Sequence, residues 1–275
     1  MLRAMRMTLS HIYTYPLKSG APLVHDAAQV EPRGLHGDRR FMVITANAKF
    51  LTGRQQPRLT LIRVRPADSH AVFEAPDMPA LPIEHPPSHG ERIATEVWGA
   101  AVRPLLADAA AHAWFSEFLG SDCRLVYMDA ACTRALKAKY EGKYGLDSDE
   151  VSLADGFPLL LTSQAALDLL NSKLARPMPM LRFRPNLVVA GSAPHAEDGW
   201  HRIRVGDAEF EVAKPCTRCV FTTVDIERGA FDPTGEPLRT LIGYRRTPDG
   251  VTFGQNVIPR RLGSVRVGDP VEVIA

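Results

Sequence analysis

Apolar and polar residues alternate along much of the chain with the two-residue period of half-buried strands, and twice settle into the longer period of a helix. Residues 7–17 alternate loosely and run into a Lys18-Ser19-Gly20 turn. Residues 40–45 and 58–64, rich in β-branched side chains, predict further strands, with Asn47-Ala48-Lys49 as a hairpin tip between Ile44 and Phe50. Residues 75–90 hold Pro76, Pro79, Pro82, Pro86 and Pro87 and predict a loop dividing an N-terminal β unit. Trp114, Phe115, Phe118 and Leu119 share one face of a helix over 109–119 that Gly120 ends. A second helix carries the stripe Ala166, Leu167, Leu170, Leu174; Thr162 or Ser163 can cap it, and the buried-looking strand 158–161 feeds it.

The C-terminal part returns to strands over 186–190, 209–213, 220–224, 251–254 and 265–274. Two stretches, Ile203-Arg204-Val205-Gly206-Asp207 and Val265-Arg266-Val267-Gly268-Asp269, read alike as Gly-Asp hairpins and suggest barrel-like pairing. Two clear helices are too few for a doubly wound sheet. The expected class is mostly β with α (α+β), closed or nearly so.

Length allows one large domain or two small ones. A formal charge of +2, from 33 basic and 31 acidic residues, gives no bulk attraction to nucleic acid or to a membrane surface. The first residues, Met1-Leu2-Arg3-Ala4-Met5-Arg6-Met7, lack the apolar core of a secretory signal, and the longest apolar runs are too short to span a bilayer. A cytoplasmic protein is expected. Cys123, Cys132, Cys216 and Cys219 are too few for a disulfide scaffold, and a reducing compartment would keep them as thiols.

The chemistry concentrates at Lys214-Pro215-Cys216-Thr217-Arg218-Cys219. Cationic neighbours favour the thiolate, the form that binds metal or attacks. A structural zinc wants four ligands, and Cys123 and Cys132 make a poor second pair. A thioredoxin-like pair wants a helix after it, whereas Val220-Phe221-Thr222-Thr223-Val224 predicts a strand. Two buried thiols acting as small hydrophobes remain as an alternative. Basic residues also mark four chain breaks, at Lys18, at Arg39-Arg40, at Arg54, and at Arg182 and Arg184. Singly each suits a solvated surface; together they suit a multiply charged small ligand. The N-terminus of the second helix offers free N–H groups to a phosphate, or is an ordinary strand-to-helix connection.

With these runs in view the chain resembles the MOSC family, in its two-part form that includes amidoxime-reducing components and bacterial relatives. The matching stretches are Tyr15-Pro16-Leu17-Lys18-Ser19, Gly37-Asp38-Arg39-Arg40-Phe41, Thr52-Gly53-Arg54-Gln55-Gln56-Pro57, Phe183-Arg184-Pro185-Asn186, Pro215-Cys216-Thr217-Arg218-Cys219 and Phe253-Gly254-Gln255-Asn256. They run in order over nearly the whole chain. The resemblance implies an N-terminal MOSC β-barrel domain over 7–120 and a MOSC domain over 121–275. It implies a pterin-based molybdenum cofactor, with Cys219 as thiolate ligand to the metal and as the catalytic residue. Soft sulfur suits a metal already bound by dithiolene sulfurs. Lys18, Ser19 and Arg39 match residues that hold the pterin or phosphate part. Arg184, Asn186, Thr217, Arg218 and Asn256 match the pocket wall, and Thr162 and Ser163 join them at the helix N-terminus. Cys216 is then a neighbour. Asn256 stands where the mitochondrial proteins have tyrosine.

The activity so implied is reduction of N-hydroxylated compounds: hydroxylamines, amidoximes or N-hydroxylated bases. Some relatives continue into a ferredoxin-like domain with four cysteines. Lacking it, this chain is expected to draw electrons from a separate ferredoxin-, flavodoxin- or cytochrome b5-like protein. Asp225 and His36 are the candidates for proton supply. The alternative function is a cofactor carrier or sulfur-transfer module with a persulfide on Cys219, and a metal-free β protein is a third reading.

Overall fold

Leu187, Val188 and Val189 alternate between two cores, and that alternation sets out the centre of the fold. Leu187 and Val189 join Leu9, Ile12, Leu161, Phe210 and Val257 on one side. Val188 joins Tyr13, Tyr15, Leu170 and Phe253 on the other. A strand buried on both faces belongs inside a covered sheet. The computed structural model describes residues 6–67, 69–84, 90–136, 140 and 142–275.

The central sheet has nine strands. Along its main path lie Leu23–His25, Thr8–Thr14, Leu187–Ala190, Leu159–Ser163, Gly250–Arg261, Ala208–Thr217, Arg202–Val205 and Val271–Val273, with Arg246–Thr247 paired to the side. Leu159–Ser163 runs parallel to Leu187–Ala190; such a pair needs a crossover, and it contains helix α2 (Gln164–Asn171). The other ladders of this sheet are antiparallel. The sheet is not a closed barrel, contrary to the barrel-like expectation. Between its last strand and its second lie a lone bridge, Thr8 to Pro270, and backbone bonds from Leu9 N–H to Asp269 O (2.9 Å), Val271 N–H to Met7 O (3.0 Å) and Gly268 N–H to Leu9 O (2.8 Å).

The N-terminal half builds a second core. One three-stranded sheet joins Leu105–Leu106, Cys123–Tyr127 and Phe41–Thr45; another joins Arg63–Pro66, His70–Glu74 and Leu81–Glu84. Helix α1 (Ala109–Leu119) buries Trp114, Phe115 and Phe118 against Phe41 and Phe73. Asp108 accepts from Ala111 N–H to start α1, and Gly120 ends it at φ 68°. The predicted tip at 47–49 is present, with Thr45 N–H bonded to Lys49 O (2.8 Å) and Ile44 bridged to Phe50.

Four local expectations fail. Within 58–64, a 3-10 turn over Pro57–Leu61 precedes the strand, because Pro57 brings a fixed φ and no N–H to its first turn. Within 75–90, Leu81–Glu84 is a strand despite Pro82, since it forms a sheet edge; residues 85–89 of that predicted loop lie outside the described residues. The second Gly-Asp stretch is no hairpin, for Gly263–Arg266 pairs with Ala27–Glu31 and Val271–Val273 with Arg202–Val205. After Cys219 comes a 3-10 turn, Val220–Thr223, rather than a strand. There Thr222 and Thr223 donate their hydroxyls back to the carbonyls of Cys219 and Val220 (3.0 and 2.8 Å).

Candidate active site

Strand Ala208–Thr217 pairs with Gly250–Arg261 through three register shifts, two of which flank Lys214, Pro215 and Thr217. Bulges of this kind re-aim side chains and admit a proline. Here the bulged ends of the two strands face a cavity of about 410 Å³. Lys18, Ser19, Arg39, Arg184, Asn186, Thr217, Arg218, Cys219 and Asn256 all line it. Segments far apart in sequence therefore converge, which local patterns could not show.

Thr162 and Ser163 do not line it. Both are fully buried. Thr162 Oγ1 donates to Met180 Sδ (3.4 Å), while Ser163 Oγ accepts from Ala166 N–H and Ser163 N–H donates to Glu197 Oε1 (3.2 Å). The N-terminus of α2 is thus capped by the protein itself, as in an ordinary strand-to-helix connection.

The backbone around the cavity is unusual. Seven described non-glycine residues have positive φ, and four of them, Ser19, Arg39, Trp98 and Arg184, line the cavity. Each costs about 1–3 kcal/mol unless its surroundings enforce it, and such residues cluster at functional sites. Gly53 lets two walls meet: a Cβ there would lie 2.1 Å from the Phe221 ring. That approach brings Arg54 Nη1 to 3.4 Å from Cys219 Sγ.

The cations divide into two kinds. Arg39 is spent on the buried Asp38, on Asn186 Oδ1 (3.0 Å) and on Arg184 O (3.2 Å). Asn186 is spent as well, accepting from Leu160 N–H (3.1 Å) and donating to Tyr13 O (3.0 Å). Arg218 gives its guanidinium to the carbonyls of Phe253 and Phe183, so it ties the cysteine loop to the sheet. Arg184 differs. Its Nη1 bonds Gly20 O (2.6 Å), yet its buried Nη2 has no partner. Burial, with Arg39 alongside, pushes this guanidinium down to about 10.

Lys18 is 4 % exposed and donates to Leu153 O (2.8 Å) and Asp155 Oδ1 (2.5 Å). Burial pushes its amine down to about 8, against the pull of Asp155. Asp155 is ringed by protein but open to the cavity, with 62 % of its side chain exposed. Burial alone would push its carboxyl up; Lys18, a bond from Trp98 and Arg54 hold it below the usual carboxylate range. Of the two thiols, Cys219 is exposed and Cys216 half-buried, and burial pushes the Cys216 thiol up.

The two candidates for proton supply lie outside the cavity. His36 pairs with Glu31 on the surface, and Asp225 faces Arg182 while capping the turn at Glu227 and Arg228. Neither lines the cavity. Sequence reading missed Asp155, whose Asp-Gly context reads as a plain turn, and Trp98, at the tip of a short hairpin. It placed Arg54 at a chain break and in a family-matching run, without a role in the site.

Comparison with known proteins gives the family. Residues 6–122 match the family model of the MOSC N-terminal beta barrel domain, and residues 148–272 that of the MOSC domain. Mitochondrial amidoxime-reducing component 1 of Mus musculus is 34% identical over 97% of this chain and 82% of its own length. Mitochondrial amidoxime reducing component 2 of Rattus norvegicus is 34% identical over 96% and 82%. Component 1 of Danio rerio is 34% identical over 96% and 83%. The chain belongs to the MOSC family, in the two-part arrangement of an N-terminal beta barrel domain followed by a MOSC domain, and is related to the amidoxime-reducing components.

Proposed function

We propose that the protein is a molybdenum-cofactor-dependent reductase of N-hydroxylated compounds, with Cys219 as the metal's protein ligand. The observation that carries this reading is the convergence on one cavity of an exposed thiol and a guanidinium, that of Arg184, whose Nη2 makes no hydrogen bond. The names of the relatives supply the substrate class.

The residues present fit the cofactor. A phosphate-bearing pterin needs donors that the fold has not already used, and Arg184 Nη2 is one. Lys214 adds a cavity-lining cation that lies over the rings of Tyr140 and Tyr144 (5.4 and 5.2 Å). A metal held by dithiolene sulfurs accepts a further soft sulfur ligand well, and Cys219 offers its exposed sulfur.

When bound, the cofactor supplies a metal that changes oxidation state by two electrons. Overall the N–O bond breaks: two electrons from a separate donor protein and two protons convert the N-hydroxy group to N–H and release water. The chain positions, stabilises charge and handles protons. Lys18 Nζ holds a proton with an affinity near neutral pH, and Asp155 carries its hydrogen bond to the cavity surface. Arg54 fixes the far side of Asp155 (3.7 Å) and the Cys219 sulfur together.

Expression in a host that makes the cofactor, followed by metal analysis and benzamidoxime reduction with an artificial donor, tests this. Molybdenum near one per chain with turnover is expected. Cys219→Ser should lose at least about a hundredfold in rate, while Cys216→Ala keeps most of it. Folded protein without molybdenum would sink the reading. Full molybdenum without turnover on any N-hydroxy compound would favour the carrier or sulfur-transfer reading, which the exposure of Cys219 also suits.

A further inference from the structure

Trp98 sits where a tryptophan is costly. Strands Thr95–Val97 and Ala100–Val102 pair as a hairpin, with Val97 opposite Ala100. The two-residue turn between them is Trp98-Gly99, at φ 54° and 84°. Positive φ at both central positions is the type I′ form, which favours Asn-Gly. A bulky side chain in the left-handed region is an outlier that calls for a reason. Burial does not supply it, for Trp98 is 38 % exposed while Trp114 and Trp200 are 5 % and 8 %.

The reason lies in the ring's surroundings. The indole lines the cavity beside Asp155, whose carboxyl it helps hold below the usual range. The Arg54 guanidinium lies over it at 4.2 Å, and Phe50 meets it edge-on at 4.9 Å. Through Arg54 the ring is one side chain away from Cys219 Sγ. It is a flat surface held between Arg54 and Phe50, with 38 % of the residue exposed. Flat π-systems stack on such surfaces.

We infer that Trp98 is the specificity-determining residue of the site, a stacking shelf that selects planar, conjugated N-hydroxy compounds over aliphatic ones. This rests on the reductase reading above. Two substrates with the same reacting group separate the shelf from the chemistry: benzamidoxime, flat and conjugated, and acetamidoxime, which offers a methyl group instead.

The test uses the cofactor-loaded full chain and Trp98→Phe and Trp98→Asn. The ratio of KM for benzamidoxime to KM for acetamidoxime should rise about tenfold in Trp98→Asn, the equivalent of about 1.4 kcal/mol, and most of it should return in Trp98→Phe. Because asparagine suits the left-handed turn, Trp98→Asn should keep or raise the wild-type Tm. A structural tryptophan would lower it. An unchanged ratio, or equal losses for both substrates, would overturn the shelf. A second readout needs no turnover: Trp98 is the exposed tryptophan, so benzamidoxime should quench fluorescence saturably in wild type and not in Trp98→Phe. Quenching without any turnover would keep the shelf and sink the reductase reading. Turnover with no quenching and no change in the ratio would do the reverse.

Discussion

The N-terminus of α2 and the wall around Arg184 are made of similar parts. Each joins a strand end to donor groups that an anion could use. At α2, Ser163 Oγ takes Ala166 N–H and Glu197 takes Ser163 N–H. The fold has filled that site. Around Arg184, the neighbours Arg39, Asn186 and Arg218 are filled in the same way, by Asp38 and by backbone N–H and carbonyl groups. What distinguishes the cavity is the donor left over, Arg184 Nη2. An anion site is recognised by unspent hydrogen-bonding capacity rather than by residue type, because a satisfied buried group gains little from a ligand.

The largest expected effect concerns the cost of burying cavity cations. Lys18 has a folded value of about 8, below its ordinary 10.5. Between those two pH values the unfolded chain binds more protons than the folded one, so stability should rise with pH across that window. Relative to Lys18→Met, the wild-type unfolding free energy should gain up to about 3 kcal/mol from pH 8 to 10.5 in urea titrations. Parallel curves for the two proteins would remove Lys18 from the buried set.

Arg184→Met comes next. It deletes the unspent donor, so molybdenum retained through gel filtration should fall at least about tenfold. Its urea midpoint without cofactor should hold or rise, since a poorly paired buried charge is gone. Ser163→Ala is the smallest and the converse. Loss of the cap should lower stability by about 1 kcal/mol and leave molybdenum content unchanged. If Ser163→Ala sheds molybdenum and Arg184→Met does not, the comparison is inverted.

Local order was legible in the residues wherever a local rule decided it. Gly120 stops α1, Ser163 caps α2, and Asn47-Ala48-Lys49 turns a hairpin. The misreadings have tertiary or side-chain causes. Pro82 is tolerated because its strand forms an edge, and Thr222 and Thr223 curl the chain after Cys219 with their own hydroxyls. Of the site, the motifs named nine residues that line the cavity but could not separate the spent from the unspent among them, since Arg218 and Arg184 differ only in what surrounds them. Asp155 and Trp98 sit in short turns with no periodic signature, so only their position relative to Lys18 and Arg54 gives them meaning.

The most direct measurement of the central claim is the molybdenum X-ray absorption spectrum of the loaded wild type beside that of Cys219→Ser. One sulfur should leave the metal's coordination shell in the variant while Cys216→Ala keeps it. An identical sulfur shell in wild type and Cys219→Ser would contradict the assignment of Cys219 as the metal's ligand.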